Sequence, residues 1–244
     1  MHQDILEVDK LHFNELREHV GEEKFFILLN EFVKKFTYES ITIEGKNALS
    51  QEDVYNLLEK EVIVTQLPER EQKEALNYKK AFAHVFKLVI SRRRLNEDIL
   101  KDLHEILVEG IFVGGQYRKV NIQIKNSMHQ PPDYVKVYDR MAKFFYDLEH
   151  FKGTAVQKGA FAHAQIFKIY PFLEGNGRLA RLVLNYIIMF DGYMPISIPL
   201  SDKEIYLQSI DTFKVEKDLS PFVDYLYQLL VNSYEQYIET LESL

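Results

Sequence analysis

Arg178 and Arg181 stand three residues apart and follow Gly175 and Gly177, with Glu174 just ahead of the glycines. Two glycines separated by one residue, placed before an apolar helical run, let backbone N–H groups converge on an anion. The first turn of the helix adds about half a positive charge at the same point. Residues three apart project from one helix face, so both guanidinium groups belong to that first turn. A first turn favours acids over cations, and a bound anion between the arginines and the helix dipole resolves the conflict. Glu174 offers a hard oxygen of the kind Mg²⁺ takes together with substrate phosphates. Gly-Asn-Gly alone reads as an ordinary turn between helices. The carboxylate, both arginines and the preceding Pro171-Phe172 in register describe a magnesium-polyphosphate site.

The elements that position this loop are helical. Residues 160–169 are apolar at helical spacing and Pro171 stops them. A second apolar helix spans 179–190 and ends at Asp191-Gly192. Residues 23–36 place Phe25, Phe26, Leu28, Leu29, Phe32, Val33 and Phe36 on one wide apolar stripe. Ser50 and Asp53 predict a capping box, and helices continue over 75–91 and 96–108. Ser220-Pro221 predicts an N-cap and first helical residue for a helix running to about residue 241. One segment breaks the pattern. Over 116–137, Val120, Ile122 and Ile124 alternate with polar residues before Asn126-Ser127 and Pro131-Pro132. This predicts a short β-hairpin flap on a helical body, an edge structure because the prolines cannot donate ladder bonds. Such an edge captures an extended target segment by main-chain pairing, or is simply structural.

The chain has 244 residues, no cysteine and a net charge of −7. One sizeable core suffices, and disulfide or thiolate-metal chemistry is excluded. The acidic balance argues against a nucleic-acid partner, and Arg92-Arg93-Arg94, the one basic cluster, reads as a solvated helix end. Charges throughout the first twenty residues fit no signal peptide, and no apolar window is long enough for a membrane span, so the expected location is cytoplasmic. No linker or repeat divides the chain. A single domain over 1–244 is expected, with N-terminal helices over 1–75, a core over about 76–222 and a C-terminal helix over 222–244.

The stretch Tyr170-Pro-Phe172-Leu-Glu174-Gly175-Asn176-Gly177-Arg178-Leu-Ala-Arg181 resembles the Fic family motif His-x-Phe-x-(Asp/Glu)-Gly-Asn-Gly-Arg-x-x-Arg at every position except the first. His163, Gly192-Tyr193-x-Pro195, Gly115-Gln-Tyr117-Arg118 and His129-Gln-Pro131-Pro132 extend the likeness, which covers roughly residues 37–222. It implies an all-α fold, the Fic helical bundle with a short β-hairpin flap. It implies transfer of AMP from ATP to a Ser, Thr or Tyr hydroxyl of a target protein or of the chain itself; a homodimer is a further expected partner arrangement. On this resemblance Glu174 holds Mg²⁺, while Asn176, Arg178 and the 175–177 backbone cradle the α- and β-phosphates. Arg181 pairs with the γ-phosphate, Phe172 belongs to the nucleotide-binding set, and Val120, Ile122 and Ile124 line the target flap. Tyr206 occupies a place where the family walls the adenine; an aromatic on an amphipathic helix is also a core residue. Such transfer needs charge neutralisation and in-line positioning more than covalent help.

Ser40-Ile-Thr-Ile-Glu44-Gly45 taken by itself is a helix terminus with one acid. It is similar to the (Ser/Thr)-x-x-x-Glu-(Gly/Asn) inhibitory motif of some Fic proteins, whose glutamate pairs with the second motif arginine, here Arg181. A carboxylate there competes with a γ-phosphate for the guanidinium. In some relatives the same glutamate positions a water for removing AMP.

Tyr170 stands where the family has its histidine base. Tyrosine and histidine differ by about 3.5 pKa units, roughly 5 kcal/mol in readiness to accept a proton, and loss of a general base costs about 10²- to 10⁴-fold. Three accounts follow: a disabled transferase, a nucleotide-dependent binding module that no longer transfers, or altered chemistry with an activated phenol. Transfer of another phosphate-containing group stays open within the same fold.

Overall fold

The molecule, described by a computed structural model over residues 2–124 and 129–243, is built from helices. In chain order these are α1 (His2–Val20), α2 (Glu22–Thr42), α3 (Gln51–Lys60), α4 (Glu69–Ile90) and α5 (Glu97–Leu107). They are followed by α6 (Val137–Glu149), α7 (Ala155–Ile169), α8 (Asn176–Phe190), α9 (Lys203–Glu216) and α10 (Ser220–Ser243). Among the described residues none of the helices is long and apolar enough to cross a membrane.

The centre is α8, buried at every position from Asn176 to Met189. A helix surrounded on all sides must be apolar all round, and α8 is, save for Asn176, Arg178, Arg181, Asn185 and the Tyr186 hydroxyl. Each buried polar group then needs a partner. Asn185 exchanges two hydrogen bonds with the Ile196 backbone, at 2.9 and 2.7 Å. Asn176 does the same with Phe172, at 3.0 and 2.9 Å, which folds the loop ahead of α8 back on the helix start. Helix α7 runs beside α8, and Gly159 permits the approach: a Cβ there would lie 2.8 Å from Leu184 Cδ1. Helices α2, α4 and α5 pack against other parts of α8, and α1 lies along α10.

Local signals account for most boundaries. Ser50 and Asp53 form the reciprocal capping box that opens α3. Thr154 and Gln157 form another at α7. The apolar stripe of α2 buries Phe25, Leu28, Leu29, Phe32 and Phe36, whereas Phe26 turns outward. The C-terminal helix starts slightly earlier than expected. Leu219 O accepts the first helical bond, from Val223 N, and Asp218 Oδ1 accepts from Ser220 N, so Ser220 lies inside the helix.

The expected β-hairpin is corrected. Among the described residues no strand forms over 116–137, and the Asn126-Ser127 turn lies outside them. Val120 is exposed, with Ile122 and Ile124 partly buried. The two arms are joined by side chains in place of a ladder. Buried Arg118 donates from Nη1 to Val120 O on one arm and from Nη2 to Pro132 O on the other. Tyr134 N donates to Asn121 Oδ1 at 2.8 Å. Pro131 and Pro132 have no N–H to give, so a guanidinium carries the pairing that alternation alone suggested. Arg118 also pins the loop before α8, donating from Nε to Tyr170 O and from its backbone N to Pro171 O, each at 2.9 Å.

Arg118→Ala strands the part-buried carbonyls of Val120, Pro132 and Tyr170 and is expected to lower unfolding stability by about 2–3 kcal/mol in denaturant titration. Faster amide exchange at Tyr134 accompanies the loss. Wild-type stability and exchange in the variant contradict this role.

Candidate functional site

The site is assembled around the start of α8. Gly175 is its N-cap at φ +79°, a left-handed conformation that glycine adopts without strain; a Cβ there would meet Val108 and His104 only at ordinary contact distance. Tyr170 closes α7 in the same region of backbone space at φ +50°. Phe172 is fully buried and stacks on His104, ring centroids 3.7 Å apart. His104 Nδ1 accepts from Gly115 N at 3.0 Å and Nε2 donates to Glu174 O at 3.0 Å, which fixes the Nε2–H tautomer. Burial pushes this imidazole down to about 4, the Glu174 carbonyl opposing, so it is a neutral strut.

Arg181, 1% exposed, is held from several sides. Its Nε donates to Ser40 Oγ at 2.6 Å and its Nη2 to Ser40 O at 2.7 Å. Nη2 also donates to Glu44 Oε1 at 2.9 Å, and Nη1 to the Tyr206 hydroxyl at 3.3 Å. Ser40 Oγ donates in turn to the Tyr78 hydroxyl at 2.7 Å, and Tyr206 is hydrogen-bonded to His163 at 3.0 Å. The structure therefore brings Ser40 and Glu44, 141 and 137 residues away in the chain, onto the second motif arginine. Gly45 turns the chain at φ +71° directly after. The Glu44 carboxylate lies so close to the start of α8 that a Cβ on Gly177 would sit 1.9 Å from its Oε1. It occupies the place where an anion is favoured by the helix N-terminus. Burial works against its ionisation, but the Arg181 charge and hydrogen bond, with Lys46 and Arg178 behind them, hold it below the usual carboxylate range.

Arg178 is differently placed. It is 8% exposed, and its Nη2 makes an ion pair at 3.4 Å with buried Glu74 Oε1. Its Nη1 is buried without a hydrogen-bond partner among the described residues. Glu174 projects beside it, one-third exposed, with Oε2 at 2.6 Å from Arg70 Nη2. Tyr170 is half-buried, and burial together with the Glu44 charge pushes its phenol up to about 12 against a hydrogen bond from Asn176.

Tyr206 departs from the expectation of an adenine wall. It is 0% exposed and packed by His163, Phe167 and Phe222, so its rings face no open space and its hydroxyl serves Arg181. Arg70, Glu74, Tyr78 and His104 were not singled out from the sequence. They lie on α4 and α5, far from the loop, in stretches that read as ordinary amphipathic helix.

Residues 94–188 match the model of the Fic/DOC family. A protein adenylyltransferase fic-1 of Caenorhabditis briggsae is 26% identical over 221 residues, 88% of this chain and 43% of that protein. A protein adenylyltransferase Fic of Drosophila persimilis is 25% identical over 207 residues, 82% of this chain and 40% of that protein. Over residues 94–188 the chain is thus similar to Fic/DOC proteins. It spans about two fifths of the length of the curated relatives it matches. The Fic fold itself is plain from solved structures. A Fic-domain protein from Bacteroides thetaiotaomicron superposes with a TM-score of 0.88 at 22% identity, over 98% of both chains. Fic-1 from C. elegans gives 0.85 at 22% identity, over 99% of this chain and 73% of that one.

The Glu44–Arg181 pair sets a pH signature. A carboxyl lowered on folding adds stability above its ordinary value of 4.5 and gives it up as pH falls below that. Glu44→Gln is expected to be less stable than the parent near pH 6, the gap closing as pH drops below about 4.5 in thermal or urea unfolding. A gap independent of pH contradicts the ionised pair.

Proposed function

We propose that this protein binds ATP at residues 172–181 and is built to move AMP to a protein hydroxyl. In that reaction the target oxygen bonds to the α-phosphorus, the bond to the bridging β-oxygen breaks, and pyrophosphate leaves. The observation behind this reading is Arg178 Nη1, nine-tenths buried and unpartnered among the described residues at the first turn of α8, beside a second arginine already holding a carboxylate. A buried guanidinium nitrogen without an acceptor is costly, and a phosphate oxygen is its natural complement. Asn176 and the 175–177 backbone then shape the cradle, and Arg181 takes the terminal phosphate when Glu44 lets go.

The donor set also fits Mg²⁺. Among the described residues no group of three or more acids and histidines gathers to hold a metal by protein ligands alone. Glu174, a single accessible carboxylate beside the cradle, suits an ion completed by phosphate oxygens and water. When bound, that ion would neutralise phosphate charge; Glu174 would hold it.

Two features restrain transfer. Glu44 occupies Arg181, so ATP meets a carboxylate where its γ-phosphate belongs. Tyr170, with its phenol near 12, is a proton donor at neutral pH and cannot take the proton of an attacking hydroxyl. The same phenol favours a second reading, a nucleotide-dependent binding module that performs no transfer. The two differ in what a restored base does. Tyr170→His combined with Glu44→Gly is expected to label itself or a lysate protein from α-labelled ATP, with the added mass of AMP. Arg178→Ala is expected to weaken ATP binding at least tenfold in calorimetry, losing a charge-assisted contact worth about 1.5–3 kcal/mol. ATP binding without labelling in the double variant supports the module and rejects the transferase; no ATP binding by the parent rejects both.

A further inference from the structure

Arg70 is the second residue of α4, where the helix's own dipole disfavours a cation. Its guanidinium lies between two carboxylates. Nη2 is 2.6 Å from Glu174 Oε2, and Nε is 3.5 Å from Glu74 Oε1, one turn further along the same helix. The guanidinium carbon also sits over the Phe112 ring at 5.0 Å. Glu74 is buried and already balanced by Arg178 at 3.4 Å and by Asn47 Nδ2 at 3.2 Å. Arg70 is therefore surplus to Glu74, and its short contact is the one with Glu174, the more accessible of the two carboxylates.

We propose that Arg70 is a tethered cation that occupies the Glu174 carboxylate in the place of a divalent ion and must withdraw before one binds. The inference rests on the reading of Glu174 as a metal ligand. Withdrawal is easy. Arg70 is half exposed, and Glu74 and the Phe112 face keep partners for it when Glu174 is given up. The competition is modest in size, because half-exposed ion pairs contribute little. It still makes occupancy of Glu174 depend on divalent-ion concentration, and it leaves a positive charge near the phosphates when no ion is present. Arg70 is thus a positioning residue for Glu174, not a phosphate ligand.

The test uses Mn²⁺ alone, without nucleotide, titrated into the isotopically labelled full chain. The readout is paramagnetic broadening of the Glu174, Gly175 and Asn176 amide signals. Arg70→Ala and Arg70→Gln are both expected to shift half-broadening to a several-fold lower Mn²⁺ concentration, up to about fivefold. Lys73→Ala, which removes a nearby charge paired with Glu69 instead, is expected to leave it unchanged. Equal concentrations for parent and Arg70 variants overturn the role of Arg70 while keeping Glu174 as a ligand. An equal shift in Lys73→Ala also overturns it, since bulk charge would then suffice. Mn²⁺ that spares these amides in every protein overturns the Arg70 proposal and the assignment of Glu174 together, whatever ATP does.

Discussion

A guanidinium taken out of water must have acceptors around its rim and a negative charge within reach, or the helix carrying it does not stay buried. Arg181 imposes that demand at the centre of the molecule. The end of α2 answers it with Ser40 Oγ, Ser40 O and the Glu44 carboxylate, and α9 adds the Tyr206 hydroxyl. Tyr78 on α4 and His163 on α7 support those partners in turn. Four helices are thus oriented toward one side chain of α8. The N-terminal region is joined to the core by this polar contact as well as by apolar packing.

The two motif arginines, one turn apart, are left in different states, and the difference bears on function. Arg181 is well supplied with partners, whereas Arg178 leans on Glu74 at 3.4 Å and keeps a buried nitrogen unpaired among the described residues. Glu44, Glu74 and Glu174 face Arg181, Arg178 and Arg70 in a nearly neutral constellation. A polyphosphate entering such a site exchanges one set of anionic partners for another and need not meet bare charge. The backbone around it is already set. Gly175 and Tyr170 hold left-handed conformations, Asn176 ties the loop to itself, and Arg118 fastens the carbonyls of Tyr170 and Pro171.

The parts governed by short-range rules were legible in the sequence. Pro171, the glycine pair and the following apolar run located the α7–α8 junction, and Ser50 with Asp53 gave the start of α3. The arginine pair and Glu44 were legible only through a motif, since nothing local says that Glu44 crosses 137 residues to reach Arg181. Alternation at Val120, Ile122 and Ile124 misled because Arg118, a residue with no period of its own, replaced main-chain pairing with side-chain bonds. Arg70, Glu74 and Tyr78 stayed silent because each looks like a routine position of an amphipathic helix until α4 is laid against α8. Tyr206 was open to two readings, and full burial decided for the core.

On the proposed function, Glu44 and a terminal phosphate contend for the same face of Arg181. Calorimetric titration of ATP and of ADP into the parent and into Glu44→Gln measures this directly. Contention at Arg181 predicts that the substitution tightens ATP while leaving ADP nearly unchanged, because only ATP carries the phosphate that needs the vacated guanidinium. An equal gain for both nucleotides, or none for either, would contradict it.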